Sequence, residues 1–528
     1  MPSDKPNYIF FVSDQHRADH LGCYGNSVVQ TPNIDRMARS GTRFEQFYVA
    51  NPFCMPNRAS MMTGRMPSLH RARTNGNPLP LESRTFVKSL RSAGYHTALI
   101  GKSHLQNMTG LPRAHTPTEA VGDDGEVFEA FEHVYAGPDY DNENSRLWRE
   151  DPSHDVKTPY YGFEHVDLCT EHGDRVGGAY LRWLSKQHSK PESLRGPENA
   201  IKDENVVTPQ AWRTRMPEEL YPTRYIADRT CEHIKHLATN ADQAPFFIQC
   251  SFPDPHHPFT PPGRYWDMYD SAQIEVPASF GLGDSPMLRH MRKDLAGGTA
   301  ERHSTLPYAV TEQEAKEAIA LTYGMITMID DAVGQVSRTL ADNGLADNTV
   351  LVFVSDHGDF MGDHGIMLKG PLHYRGLIRV PFIWFDPASD TLPVITSLAQ
   401  SIDIPATFLE RSGIRPYFGI QGRGLISTIY DGETDDRDAL LIEDDRELIY
   451  LGFDRAQRVR TVVTADARLT LYEPAQWGEL YDLAADPLEV NNLWDNAAHE
   501  SLQTDMTRRL LELIMRFQDW APLPTGRA

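Results

Sequence analysis

Five apolar runs bounded by turn residues recur along the chain: YIFFVSD (8–14), HTALIG (96–101), PFFIQCSF (245–252), TVLVFVSDHGD (349–359) and VPFIWFD (380–386). Their hydrophobicity is nearly continuous rather than alternating. Strands of that kind are covered on both faces, as in a parallel sheet. Amphipathic stretches separate the runs. TPNIDRMARSG (31–41) opens on Thr-Pro and closes on Gly, a helix start and stop. TRYIADRTCEHIKHLATN (223–240) and TEQEAKEAIALTYGMITMIDDAVGQVSRTLADNG (311–344) are longer, and the second opens with a capping-box pattern and ends in Asn-Gly. Strand and helix alternating at this spacing predict an α/β fold, a large and mostly parallel central sheet flanked by helices.

Two stretches interrupt the alternation. Residues 106–222 and 253–305 are rich in Gly, Pro and polar residues with scattered aromatics, and read as long insertions that build a pocket. Their Tyr135, Tyr140, Tyr160, Tyr161, Trp266 and Tyr269 either line that pocket or simply pack. After about residue 400 the pattern changes to short antiparallel strands (ALLIEDDRELIYLGF, QRVRTVVTADARLTLYE, GELYDLAADPLEVNNLW) and a final helix. The expected division is an α/β domain at 1–400 with those two insertions and a smaller C-terminal α+β domain at 401–528.

Charge and cysteine usage narrow the partners. Lys+Arg 51 against Asp+Glu 73 gives a net charge of -22, a field that repels nucleic acid and anionic membranes. An anionic substrate would need a local cluster of cations. The cysteines at 23, 54, 169, 231 and 250 are odd in number and form no CxxC pair, which argues against a disulfide framework or a zinc site. No signal-peptide pattern and no bilayer-length apolar run occurs, so a cytoplasmic protein is expected.

Ligands of open α/β sheets sit beyond the carboxyl ends of the strands. YIFFVSD delivers Asp14 there, followed by Gln15, and TVLVFVSDHGD delivers Asp356 and His357. Two carboxylates, an imidazole and an amide oxygen suit calcium, magnesium or manganese. The plainer alternative, helix capping, stands for either Asp alone and weakens for the pair. In NPFCMPNRASMMTGR (51–65), Cys54 precedes Pro56 and Arg58 at a predicted helix start, where a thiol's pKa falls and anions are attracted. Spacing alone leaves a reactive and a structural Cys54 both open. GYHTALIGKSH (94–104) sets Lys102 and His104 on one side of a strand end, suited to an anion and to proton transfer. PHHPF (255–259) carries His256 and His257, and GDHGIMLKGPLHYRG (362–376) carries Lys369, His364 and His373. Singly, each of these is an ordinary side chain.

Together the segments resemble the type I sulfatases. Cys54-x-Pro56-x-Arg58 followed by Thr63-Gly64-Arg65 is similar to that family's signature, and GYHTALIGKSH to its second. VSDQ, VSDHGD, PHHPF and ELYDLAADPLEVNNL fall in the family's order, from residue 8 to about 494. The resemblance implies an alkaline-phosphatase-like fold and a metal-dependent hydrolase of sulfate monoesters, of arylsulfatase type. It implies that a formylglycine-generating enzyme oxidises Cys54 to formylglycine, whose aldehyde hydrates to a diol. One hydroxyl of that diol attacks sulfur in line with the leaving alcohol, and sulfate departs as the aldehyde re-forms. By the same carry-over, Asp14, Gln15, Asp356, His357 and residue 54 hold one divalent ion, calcium or manganese, with magnesium a lesser candidate. Arg58 steadies the diol. Lys102 and Lys369 neutralise the sulfate oxygens, and Asn75 and His256 join them in binding substrate. His256 or Lys369 protonates the leaving oxygen, and His104 takes the proton that frees sulfate.

Gln15 and His357 stand where animal lysosomal members have Asp and Asn. Both resemble the bacterial branch of choline sulfatases and phosphonate monoester hydrolases. Asn57 stands at a variable position where many members have Ser. Phosphonate monoesters and phosphodiesters carry, like sulfate monoesters, one negative charge on a tetrahedral centre, so side activity on them is implied. Lys102 and His104, where the phosphonate hydrolases hold Tyr and Thr, favour sulfate. The alternatives are a phosphonate monoester hydrolase or phosphodiesterase, a choline sulfatase, and more remotely a non-catalytic metal-binding relative. A homo-oligomer is expected, with the C-terminal FQDWAPLPTGRA placed to reach a neighbour.

Overall fold

Each apolar run forms a strand, and four more strands join them. In a computed structural model, which describes residues 5–113, 116, 120–122, 130, 135–239, 244–388, 393–433 and 437–527, nine strands make one sheet. They are β1 (Asn7–Ser13), β2 (Thr42–Phe44), β3 (His96–Lys102), β4 (His165–Thr170), β5 (Gly177–Gly178), β6 (Phe246–Ser251), β7 (Thr349–Ser355), β8 (Phe382–Phe385) and β9 (Val394–Ile395). Their spatial order is β9-β2-β8-β7-β1-β6-β3-β4-β5. The five from β7 to β4 run parallel. β8, one of the five runs, is instead antiparallel to both β7 and β2, and β5 is antiparallel to β4.

The continuous hydrophobicity of β1 has a direct cause. Tyr8, Phe10 and Val12 enter one core and Ile9 and Phe11 the other, and each such side chain stabilises the fold by about 1.5–3 kcal/mol when fully buried. The Ile9 face is covered by α1 (Pro32–Ser40), α4 (Pro222–Thr239) and α5 (Glu312–Asp342), through Ile34, Ile226 and Ile326 among others. α2 (Cys54–Thr63), α3 (Phe86–Ser92) and α6 (Asp403–Arg411) cover the other face, through Met61, Phe86 and Phe408. The predicted capping box is formed at α5: the Glu314 amide donates to Thr311 Oγ1 at 3.3 Å and the Thr311 amide to Glu314 Oε2 at 2.8 Å.

The C-terminal strands β10 (Leu440–Asp445), β11 (Arg458–Val463), β12 (Ala467–Glu473) and β13 (Gly478–Asp482) form an antiparallel meander. One face packs on α7 (Glu500–Arg516) through Leu510 and Leu513. The other, with Ile442, Val459 and Tyr481, shares a core with Tyr8 and Phe10 of the main sheet. No helix among the described residues is long and apolar enough to cross a membrane.

Two expectations change, and the aromatics, left open between lining and packing, are placed. The 106–222 insertion is more than an excursion, because β4 and β5 of the main sheet come from it. The α/β body continues past residue 400, because α6 packs on α2 and α3. Of the aromatics, Tyr160 and Tyr161 are core residues 1% exposed, with Trp266 nearly as buried. Tyr135 and Tyr140 use their hydroxyls on Arg71 and Leu81, and Tyr269 on Thr327.

Candidate active site

β1 and β7 are neighbours in register, Ser13 opposite Ser355, so the residues that follow them emerge side by side. Those residues are Asp14 and Asp356, both fully buried. The chain then turns sharply: Gln15 adopts φ 61°, left-handed, and its amide donates to Asp356 Oδ1 at 3.1 Å. His357 follows Asp356, and its Nδ1 donates to the Gly358 carbonyl at 2.8 Å, which leaves the Nε2 lone pair facing inward. Asp14, Asp356, His357 and Cys54 present ligand atoms all within 4.8 Å of one another. Two buried carboxylates and a tautomer-fixed imidazole fit a divalent ion, since carboxylates so placed repel without a cation. Gln15 borders this cluster, with Oε1 accepting from Lys369 Nζ at 3.0 Å and Nε2 donating to Asp359.

Cys54 is the first residue of α2, and Arg58 lies one turn on, on the same face. Cys54 Sγ lies 3.1 Å from His357 Nε2 and 3.1 Å from Lys369 Nζ. Burial and the Asp14 carboxylate push its thiol up, yet Lys369, Lys102 and His357 bring it below the ordinary thiol range. Arg58 spans the site: Nε donates to Asp356 Oδ2 at 2.7 Å, and Nη1 to the Lys102 carbonyl at 3.1 Å and Ser251 Oγ at 3.0 Å. Its Nη2, 3.6 Å from Asp14 Oδ2, is buried with no hydrogen-bond partner among the described residues. Asn75 sits at the same helix start, accepting from the Met55 amide at 3.3 Å.

The cations ring the two carboxylates. Lys102 at the end of β3 bonds Asp14 Oδ2. Burial opposes charge on Asp14, but Lys102, His256, His172 and Arg58 hold its carboxyl well below the usual range. Lys369 Nζ lies 3.0 Å from His256 Nε2 and 3.1 Å from His357 Nε2. His104 has φ 57° and is kept neutral by burial, then by the Lys102 and Arg58 charges; its Nδ1 is unpaired among the described residues. Asp14, Gln15, Cys54, Arg58, Lys102, His104, His256, Asp356, His357 and Lys369 are thus brought together by β1, α2, β3, β7 and the loops after β6 and β7, while Asn75, from the segment between α2 and α3, reaches only the helix start.

Two neighbours were not anticipated. His172, two residues past β4, sets Nε2 2.6 Å from Lys102 Nζ and stacks on His256, ring centroids 3.6 Å apart. Burial and Lys102 push its pKa down to about 3, so it is neutral and accepts from Lys102. Glu143 accepts from the amides of His104, Leu105 and Gln106 at 2.7, 2.8 and 3.1 Å and so fixes the His104 turn. Reading HVDLCT as a strand would have placed His172 at a strand end; for Glu143 the sequence holds no signal.

The chain is similar to known proteins along most of its length. Residues 6–414 match the family model described as Sulfatase, and residues 362–516 match one described as N-sulphoglucosamine sulphohydrolase, C-terminal. The chain is 27% identical to an arylsulfatase of Clostridium perfringens, over 96% of this chain and 94% of that one. It is 26% identical to the multifunctional alkaline phosphatase superfamily protein PehA of Trinickia caryophylli, over 98% and 96%. A phosphonate monoester hydrolase from Silicibacter pomeroyi has the same fold, with TM-score 0.74 and 22% identity over 98% of this chain and 96% of that one.

Proposed function

Because this chain belongs to the sulfatase family of the alkaline phosphatase superfamily, whose members hydrolyse sulfate esters, we propose that it acts on sulfate monoesters through a formylglycine made from Cys54. The observation that carries this reading is the place of Cys54 Sγ, 3.1 Å from both His357 Nε2 and Lys369 Nζ at the start of α2. A formylglycine there supplies a hydrated aldehyde, a hydroxyl nucleophile that can later release sulfate by re-forming the aldehyde. Asp14, Gln15, Asp356, His357 and residue 54 would hold one calcium or manganese ion, which would supply a Lewis acid for the sulfate oxygens.

The chain's own residues do the remaining work. Lys102 and Lys369 bind the anionic oxygens, the local cations that an acidic protein requires. Arg58 holds Asp356 and offers its unpaired Nη2 to residue 54. Lys369, or His256 3.0 Å from it, protonates the leaving oxygen. His104, neutral with Nδ1 unpaired, accepts the proton that frees sulfate. Asn75 steadies the start of α2 beside the substrate. A cytoplasmic homo-oligomer, matured by a formylglycine-generating enzyme, completes the proposal. Phosphonate monoester hydrolysis is the second reading, since its substrate bears the same single charge on a tetrahedral centre.

The test has two parts. The peptide holding Cys54, from protein co-expressed with the maturation enzyme, should show the mass of formylglycine rather than an alkylatable thiol. The metal-loaded protein should favour 4-nitrophenyl sulfate over a 4-nitrophenyl phosphonate in kcat/KM, and a clear excess for the phosphonate would reverse the order. Chelation should abolish turnover, and whichever of Mn2+ and Ca2+ restores it names the ion. Cys54→Ala should lower turnover by about 10³-fold or more while metal binding stays measurable; wild-type-like rates in that variant would sink the mechanism.

A further inference from the structure

The C-terminal meander reaches the start of α2. Glu443 of β10 donates its amide to the Ala50 carbonyl at 3.0 Å, and its carbonyl accepts from Asn51 Nδ2 at 2.7 Å. Asn51 Oδ1 in turn accepts from the Phe53 amide at 2.8 Å. The residues after Glu443 are thereby pinned beside Cys54. Arg446 lays its guanidinium carbon 3.6 Å from the Phe53 ring centroid, and Lys369 Nζ lies 5.9 Å from that same centroid. Arg446 therefore stands one aromatic ring away from the cations around Cys54.

Around Arg446 the buried polar groups meet one another only at long range. Asp444 is 1% exposed, yet neither carboxylate oxygen has a hydrogen bond among the described residues. Its nearest cationic groups are Arg446 Nη1 at 3.5 Å and His373 Nε2 at 3.6 Å. Gln457 Oε1 and Arg446 Nε are likewise buried without a hydrogen bond among the described residues, His373 Nε2 has only its long contact to Asp444, and the Tyr450 hydroxyl has only Arg446 beside it. His373 lies four residues past Lys369, on the same loop. Each buried unpaired group costs about 1–3 kcal/mol, and native proteins leave few of them. So many converging beside a nucleophile point to a ligand that pairs them.

We infer that Asp444, Arg446, His373, Gln457 and Tyr450 form the leaving-group subsite, and that it takes a neutral, hydroxyl-rich alcohol such as a hexose. This rests on the sulfatase reading above. A hydroxyl both donates and accepts, which matches carboxylate and amide oxygens set beside guanidinium and phenol donors. An aryl group would leave these buried atoms unpaired, and sites built to hydrogen-bond reject such analogues strongly. A quaternary ammonium needs an open aromatic face, but the Phe53 ring is covered by a guanidinium of like charge. A carboxylated alcohol would meet the Asp444 carboxylate.

The experiment measures kcat/KM of the metal-loaded enzyme on glucose 2-, 3-, 4- and 6-sulfates, 4-nitrophenyl sulfate and choline sulfate. Wild type should hydrolyse at least one glucose sulfate. In Asp444→Asn and in Arg446→Met, the ratio of that kcat/KM to the value for 4-nitrophenyl sulfate should fall about 30-fold or more, the scale of one or two lost buried hydrogen bonds. Equal losses on both substrates would assign the cluster to packing between β10 and α2 and overturn the inference. So would hydrolysis of 4-nitrophenyl or choline sulfate with no glucose sulfate turned over. Turnover of a phosphonate alone, with every sulfate inert, would remove the reading beneath it as well.

Discussion

Lys102 keeps its ammonium between the Asp14 carboxylate and the His172 imidazole, and only the second contact depends on the loop after β4. Without His172 the ammonium is free to collapse wholly onto Asp14 and away from the sulfate oxygens that the proposed reaction assigns to it. His172 is thus a positioning residue for Lys102. His172→Ala should lower kcat/KM roughly 10- to 100-fold, the usual cost of losing a supporting partner, mainly through KM for the anion. His172→Gln, which keeps an acceptor near the Nε2 position, should recover most of the loss. Equal damage in both variants would show that the ring serves only to stack on His256. The residues legible beforehand, Asp14, Cys54, Arg58, Asp356 and His357, lie at strand ends or at a helix start, where sequence pattern marks position. His172 follows a strand whose pattern is broken by Asp167, because that side chain pairs with Tyr225 and Arg229 rather than entering an apolar core.

At the scale of one element, α2 is both the carrier of Cys54 and Arg58 and a structural bridge. Asn57 Oδ1 accepts from the Ala50 amide at 3.0 Å and the Ser401 hydroxyl at 2.7 Å, while Nδ2 donates to the Asp356 carbonyl at 2.5 Å. One side chain therefore ties the helix to the segment before it, to the loop before α6 and to the strand end that carries Asp356. Asn57→Ala should lose about 2 kcal/mol of stability, read by denaturant unfolding, and should lower turnover because Asp356 loosens. No change in either would mean that the helix is held by packing alone. The helix ends at Gly64, φ 66°, whose amide donates to the Ser60 carbonyl, and a Cβ there would meet Ile420 at 2.4 Å. Gly64→Ala should cost at least about 1 kcal/mol from the left-handed backbone alone. A neutral result would show that Ile420 yields and the backbone re-forms. The helix and its stop were readable in the motif. The task of Asn57 was not, because two of its three partners come from positions 356 and 401, and no local pattern announces contacts at such range.

At the scale of the whole molecule, the expected border at residue 400 separates parts that share one core, for the C-terminal meander buries Ile442, Val459 and Tyr481 with Tyr8 and Phe10 of β1. A change of strand pattern along the chain shows where topology changes, not where packing stops. Arg468 of β12 sits in the polar centre of this junction, fully buried, with Nε donating to Glu489 Oε1 at 2.6 Å and Nη1 3.4 Å from Glu479. Glu489 Oε2 accepts from the Arg375 amide of the main body at 2.7 Å, so the ion pair is a link between the two sheets. Removing one partner of a buried ion pair typically costs about 3–5 kcal/mol, because the other charge is left buried and unpaired. Arg468→Met should therefore lower stability by that amount, and adding Glu489→Gln should recover part of it, since the two positions are coupled. Because the core is shared, calorimetry of the wild type should give one cooperative transition, and the variant should move that whole transition down. Two resolved transitions, only one of them shifted by Arg468→Met, would show that the C-terminal meander is an independent unit after all and that its grip on the start of α2 is not part of the fold's cooperative core.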